Sequence, residues 1–168
     1  TTGTTGKSKG VMLSERALVS CADNFIADLH FTPELLFIIS GPLNHIASLF
    51  KMHPVLTVGG TVCILDGLKD MNAFFDVFEL PFSKFATFLV PASIRLIMQF
   101  SYDRLCALAD RIDFIETGAA PITQHDMEQL SKALPNSRLY NTLGGTEIGA
   151  VCTYNFNDGR YMEGCIGR

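Results

Sequence analysis

The chain has 168 residues, 48% of them apolar and 18% charged, with a mean hydropathy of +0.25, long enough to enclose a core without disulfides or a structural metal. Thirteen lysines and arginines against seventeen acids leave a net charge of −4 with no basic cluster, which excludes nucleic acid as a partner. Five cysteines, odd in number and never spaced as CxxC, exclude a disulfide framework and a zinc cage, so a reducing, cytoplasmic setting is expected. No apolar run approaches the ~20 residues needed to cross a bilayer, so no transmembrane segment is expected.

In chain order, residues 1–10 form a threonine- and glycine-rich loop. Ser14 stands at an N-cap, and Ala17, Leu18, Cys21, Phe25 and Leu29 recur at helical spacing, which predicts a helix over 14–29. Residues 35–40, between Pro33 and Gly41-Pro42, read as a strand buried on both faces. Asn44 is placed as the cap of a second helix carrying Ile46, Leu49, Phe50 and Met52 towards Pro54. Gly59 and Gly60 lead into a strand at 61–65, ended by Asp66 and Gly67, and residues 71–78 are helical. A strand at 86–90, a helix from Pro91 to Phe100, a strand at 113–117, a helix at 123–134 and strands at 138–142 and 150–154 complete the order. Alternating elements, with several strands apolar along most of their length, predict an α/β fold with a mostly parallel sheet and helices on both faces. Phe74, Phe75, Phe78, Phe82 and Phe85 are assigned to the core.

Residues 1–10 hold five hydroxyls, three glycines and two lysines. Such a loop wraps backbone N–H groups and hydroxyls around phosphate oxygens. Gly6-Lys7-Ser8 fits the end of the pattern G-x-x-x-x-G-K-[ST], yet Thr1 stands where that pattern needs glycine. Asp66 imitates the Mg²⁺-binding acid of such NTPases but reads as a turn after a strand. A P-loop kinase or NTPase is therefore an alternative reading, as is a noncatalytic nucleotide-binding module.

Five segments in order carry a more specific resemblance: Thr1 to Gly10; Pro42-Leu43-Asn44-His45; Gly118-Ala119-Ala120-Pro121; Asn141-Thr142-Leu143-Gly144-Gly145-Thr146-Glu147; and Gly164-Cys165-Ile166-Gly167-Arg168. Together they resemble the AMP-forming acyl-CoA synthetases of the adenylate-forming superfamily, which includes firefly luciferase. In that family the first loop usually ends Pro-Lys-Gly, with Ser8 here in place of Pro. The second is a Pro-x-x-His segment, the third an adenine-binding turn, and the fourth a Tyr-Gly-x-Thr-Glu motif. Leu143 replaces the usual aromatic, so stacking on the adenine gives way to plain apolar contact. The resemblance also implies an internal segment, residues 1–168, of a large N-terminal domain. The ribose-holding Asp, the hinge and the C-terminal domain with its catalytic Lys lie outside it, and the isolated segment is expected to turn nothing over.

The resemblance implies attack of a carboxylate on the α-phosphate of ATP, then transfer of the acyl group from the adenylate to coenzyme A or a carrier-protein thiol. Thr1, Thr2, Thr4 and Thr5, with the amides of Gly3 and Gly6, would grip the β- and γ-phosphates, and Lys9 would add charge. Gly118, Ala119, Ala120, Pro121, Asn141, Thr142, Leu143 and Gly144 would take the adenine, Asn141 facing it. Thr146 would donate to the α-phosphate and Glu147 would hold Mg²⁺ between phosphates. His45 would line the acyl pocket and contact the substrate carboxylate, with Thr117, Gly118, Leu143 and Gly145 as walls. No histidine lies three or four residues from His45, and His53 is eight on, so His45 has no metal role. Family members that activate α-amino acids carry an Asp after the phosphate loop, and residues 41–50 offer no acid. The expected substrate is accordingly a simple aliphatic (fatty) or aryl acid rather than an α-amino acid.

Overall fold

The computed structural model describes residues 6–7 and 9–158. Its six strands form one sheet in the order β2-β1-β3-β4-β5-β6. Strands β1 (Leu35–Ile39), β2 (Thr61–Ile64), β3 (Lys84–Phe88), β4 (Ile112–Gly118) and β5 (Arg138–Gly145) are parallel, and β6 (Gly149–Asn155) returns antiparallel to β5. The α/β class and the mostly parallel sheet hold as the sequence indicates.

The strands show why they need cover on both sides. In β1, Leu36 and Ile38 enter one core while Leu35, Phe37 and Ile39 enter the other, because successive strand side chains point to opposite faces. Fully burying a side chain such as Phe37 stabilises by about 1.5–3 kcal/mol. Helices α1 (Glu15–Leu29) and α2 (Ile46–Thr57) cover one face through Phe25, Leu29, Phe50 and Val55. On the other lie α3 (Met71–Asp76), α4 (Pro91–Phe100), α5 (Tyr102–Cys106) and α6 (Gln124–Ala133), inserting Phe74, Ile94, Ile97, Leu105 and Leu130. Phe74, Phe75, Phe78 and Phe85 are core residues, and Phe82 packs against that core half-buried.

Capping sets the helix starts. The Ser14 hydroxyl accepts the Ala17 N–H, Asp70 accepts those of Asn72 and Ala73, and Thr123 and Asp126 form a reciprocal capping box on α6. At α2 the cap is His45 rather than Asn44: its Nδ1 accepts the Ala47 N–H at 3.3 Å. That helix also runs through Pro54 to Thr57. The carbonyls of Pro54 and Val55 still accept N–H groups from Val58 and Gly60, and the fully buried Val55 anchors the last turn.

Other boundaries also differ from the sequence pattern; β3, expected at 86–90, runs over Lys84–Phe88. Helix α3 stops at Asp76 and tightens into a 3₁₀ turn over Val77–Glu79, which keeps Phe78 inside. The short helix α5 has too few residues to show a period. Strand β5 extends to Gly145, because residues 143–145 gain backbone partners in β6 across a turn at 146–148. Among the described residues no helix is long and apolar enough to cross a membrane.

Candidate adenylation site

In a parallel sheet, side chains and loops at the carboxyl ends of the strands face a common edge, where ligands bind in open α/β folds. Here that edge carries Gly118 after β4 and the projecting β5–β6 hairpin. Gly118 pairs with Thr142, and a Cβ on Gly118 would stand 2.5 Å from the Thr142 carbonyl oxygen. Only glycine lets β4 and β5 stay paired there. The next residue, Ala119, takes a left-handed conformation at φ 64°, an arrangement that costs an L-residue roughly 1–2 kcal/mol. Strain of this kind collects where a loop is held for binding.

Two adjoining cavities open at this edge. One, of about 340 Å³, is lined by the turn residues Ala119, Ala120 and Pro121 and by Asn141, Thr142, Leu143 and Gly144 of β5. Leu143 is 44% exposed. The second, of about 230 Å³, runs beneath the hairpin between the sheet and the α1–α2 layer. His45, Ile46, Ala47, Phe50 and Lys51 enter it from α2 and its cap, and Phe25 from α1. Phe88, Glu116 and Ala119 come from β3, β4 and its loop; Thr142, Gly144, Gly145, Thr146, Gly149 and Ala150 come from the hairpin. Ala119, Thr142 and Gly144 belong to both walls.

The structure therefore brings together residues from three distant sequence segments. His45, Gly145 and Thr146 meet in the smaller cavity, while Ala120, Pro121, Asn141 and Leu143 meet in the larger. Glu147 sits exposed at the hairpin tip and lines neither, but its Oε2 is 3.7 Å from where a Cβ on Gly145 would stand, beside the mouth of the smaller cavity. Thr117 is buried on the strand and Gly118 lies between Glu116 and Ala119; neither lines a cavity. Gly6 and Lys9 are exposed. Thr1, Thr2, Gly3, Thr4 and Thr5, with Ser8 and residues 164–168, lie outside the described residues.

His45 caps α2 and also lines the smaller cavity. Since Nδ1 accepts the Ala47 N–H, the neutral ring carries its proton on Nε2, leaving that N–H as a donor.

The innermost polar feature is one that sequence reasoning missed. Lys51 Nζ lies 2.6 Å from Glu116 Oε1, with the two side chains 3% and 1% exposed. The ammonium also sits 3.5 Å from the centroid of the Phe25 ring, a favourable cation–π position. Burial pulls the Lys51 ammonium below its usual pKa, and the Glu116 carboxylate opposes that pull. The signal was a lysine next to Phe50 and an acid inside an apolar strand, charges of opposite sign that the sequence alone does not bring together. Residues 41–50 indeed lack an acid, but the cavity has one, supplied by β4 and neutralised by Lys51.

The P-loop alternative loses its geometry. Six residues separate Ser8 from the start of α1, whereas a P-loop opens directly into its helix. Asp66 is an exposed turn residue, 3.5 Å from Lys69, followed by Gly67 at φ 77°.

Residues 1–168 match, throughout, the family described as AMP-binding enzyme. The chain belongs to this family of adenylate-forming ligases. It is 30% identical over 156 residues to 4-coumarate-CoA ligase 1 of Narcissus pseudonarcissus, covering 89% of this chain and 28% of that protein. To a D-alanine--D-alanyl carrier protein ligase of Listeria innocua it is 26% identical over 167 residues, covering 91% and 30%. The crystal structure of ATP-bound MatB from Rhodopseudomonas palustris superposes with a TM-score of 0.83 at 25% identity, covering 99% of this chain and 32% of that one. The chain thus spans under a third of the length of these relatives.

Proposed function

We propose that this chain carries the nucleotide and acid compartments of an enzyme that activates a carboxylic acid as its acyl adenylate and passes the acyl group to a thiol, of coenzyme A or of a carrier protein. The observation that carries the reading is the pair of adjoining cavities with Ala119, Thr142 and Gly144 in both walls. Two reactants held there meet across the end of one strand, which removes the entropy cost of their encounter.

In this reading the adenine lies in the larger cavity, against the peptide planes of Ala119, Ala120 and Pro121 and the side chain of Leu143, with the Asn141 amide to read its edge. The acid enters the smaller cavity and takes a hydrogen bond from His45 Nε2. Thr146 donates its hydroxyl to the α-phosphate, where negative charge grows as the carboxylate attacks and pyrophosphate leaves. The loop of Thr1, Thr2, Gly3, Thr4, Thr5 and Gly6, with Lys9, holds the β- and γ-phosphates. Glu147 fits a Mg²⁺ ion that arrives with the nucleotide. A single exposed carboxylate at the cavity mouth suits a cation that keeps water and phosphate oxygens as most of its ligands. Bound there, the ion would neutralise charge on the phosphates; positioning is left to the side chains.

The smaller cavity favours a small acid, since 230 Å³ is below the ~300–1,000 Å³ of pockets for drug-sized ligands. It also disfavours an α-amino acid, because among the described residues the one carboxylate in its wall is already neutralised by Lys51. Acid-dependent exchange of pyrophosphate into ATP tests the proposal. Glu147→Gln is expected to lower that exchange by roughly 10²-fold, the scale of losing one preorganised electrostatic contact; an unchanged rate contradicts the role given to Glu147.

A further inference from the structure

The wall of the acid cavity has buried polar atoms without a partner among the described residues. Glu116 uses Oε1 for Lys51, while Oε2 has no hydrogen-bond partner among the described residues, and neither has the buried Thr142 Oγ1 in the same wall. Of the three Lys51 N–H bonds, one goes to Glu116 Oε1, and the ammonium lies over the Phe25 ring. Leaving a buried acceptor unpaired costs about 1–3 kcal/mol, and more when it is charged. The apolar part of the lining includes Phe25, Ile46, Phe50 and Phe88, so the orphaned Glu116 oxygen marks a place where a ligand group would be held.

Charge decides which group. The Lys51–Glu116 pair is neutral as a unit. An ammonium there would add an unbalanced positive charge, and a second carboxylate would face Glu116, both costly in a buried site. A hydroxyl meets the need without adding charge: it donates to Glu116 Oε2 and accepts from Lys51 Nζ. Buried Lys51 lies six positions after the exposed cap His45, a rise of roughly 9 Å along the helix axis at 1.5 Å per residue. The carboxyl and hydroxyl ends would thus sit at opposite ends of a short molecule.

We propose that the buried Lys51–Glu116 pair selects acids that carry a hydroxyl at the end remote from the carboxyl. The inference rests on the adenylation reading above and names the substrate class of the same site. It makes Lys51 and Glu116, both outside the motif segments, specificity-determining residues.

The test is pyrophosphate release by the full-length enzyme with matched acids: hexanoate, 6-hydroxyhexanoate, 6-aminohexanoate and adipate, then benzoate and 4-hydroxybenzoate. In at least one series the hydroxylated acid is expected to exceed its counterparts by ~10-fold or more in kcat/KM, since sites built around a hydroxyl reject analogues lacking it. In Lys51→Met/Glu116→Leu, which replaces the pair with apolar volume, that advantage should vanish. Equal or better use of the plain acids by the unaltered enzyme overturns the inference, as does a hydroxyl preference that survives in the double variant; either leaves adenylation standing. No pyrophosphate release with any acid overturns the adenylation reading and the inference with it. The panel on the unaltered enzyme decides the matter even where the double variant fails to fold, and Glu116→Gln, retaining shape, provides a second variant.

Discussion

Replacing Glu116 alone should damage the protein far more than replacing both members of its ion pair. At 2.6 Å and an effective dielectric near 20, the attraction between the two charges is about 6 kcal/mol. Desolvating each ion costs several kcal/mol, so the intact pair contributes little net stability. Glu116→Leu removes the attraction and leaves the Lys51 ammonium buried over the Phe25 ring with no counter-charge, at an expected cost of about 3–5 kcal/mol. Lys51→Met strands the carboxylate at a similar cost. The double variant loses both desolvation penalties, and its methionine retains contact with Phe25 and Phe88, so it should fall within about 2 kcal/mol of the parent. Urea denaturation followed by far-UV circular dichroism suits a chain with no tryptophan. If the two single costs simply add in the double variant, the side chains are not coupled and the description of the cavity floor is wrong.

Three further substitutions separate roles the structure combines. His45→Asn keeps a good N-cap on α2, so stability should change by less than ~0.5 kcal/mol, while kcat/KM for the acid falls because the Nε2 donor is gone; unchanged kinetics would leave His45 a cap only. Leu143→Tyr places a ring where the half-exposed leucine lines the larger cavity, and stacking of about 1 kcal/mol should lower the KM for ATP about fivefold; no change would place the adenine elsewhere. Asp126 is subject to burial, which raises its pKa, but the Thr123 hydroxyl and N–H and the Arg95 guanidinium at 2.8 Å together bring it below its ordinary value of 3.8. A carboxyl with a depressed folded pKa stabilises above its unfolded pKa and ceases to do so as pH falls through the folded one. Asp126→Asn should therefore cost roughly 1 kcal/mol near neutrality, discounted for the half-exposed Arg95, with the gap closing below pH 4 in denaturation curves.

The sheet was legible because its strands announce themselves: Leu35 to Ile39 is apolar at every position, which only a strand covered on both sides tolerates. The lining of the two cavities was legible where it lies in short segments, at His45, at 119–121 and at 141–146. Beyond that, local pattern failed for physical reasons. The hairpin that roofs the acid cavity depends on pairing between β5 and β6 across a three-residue turn, and residues 143–145 look like loop until their partners are known. Lys51 and Glu116 are 65 residues apart, so the charge balance that shapes the cavity belongs to tertiary packing and has no sequence period.

The central claim is that the two cavities bring a nucleotide and a carboxylic acid together at one reacting phosphorus. Supplying the full-length protein with ATP labelled at the α-phosphate, with and without acid, and separating the products tests it directly. Label in an acyl adenylate, or in AMP once a thiol acceptor is added, with an equal amount of pyrophosphate and only when a suitable acid is present, is the predicted result. Labelled ADP, or nucleotide turnover indifferent to the acid, would contradict it.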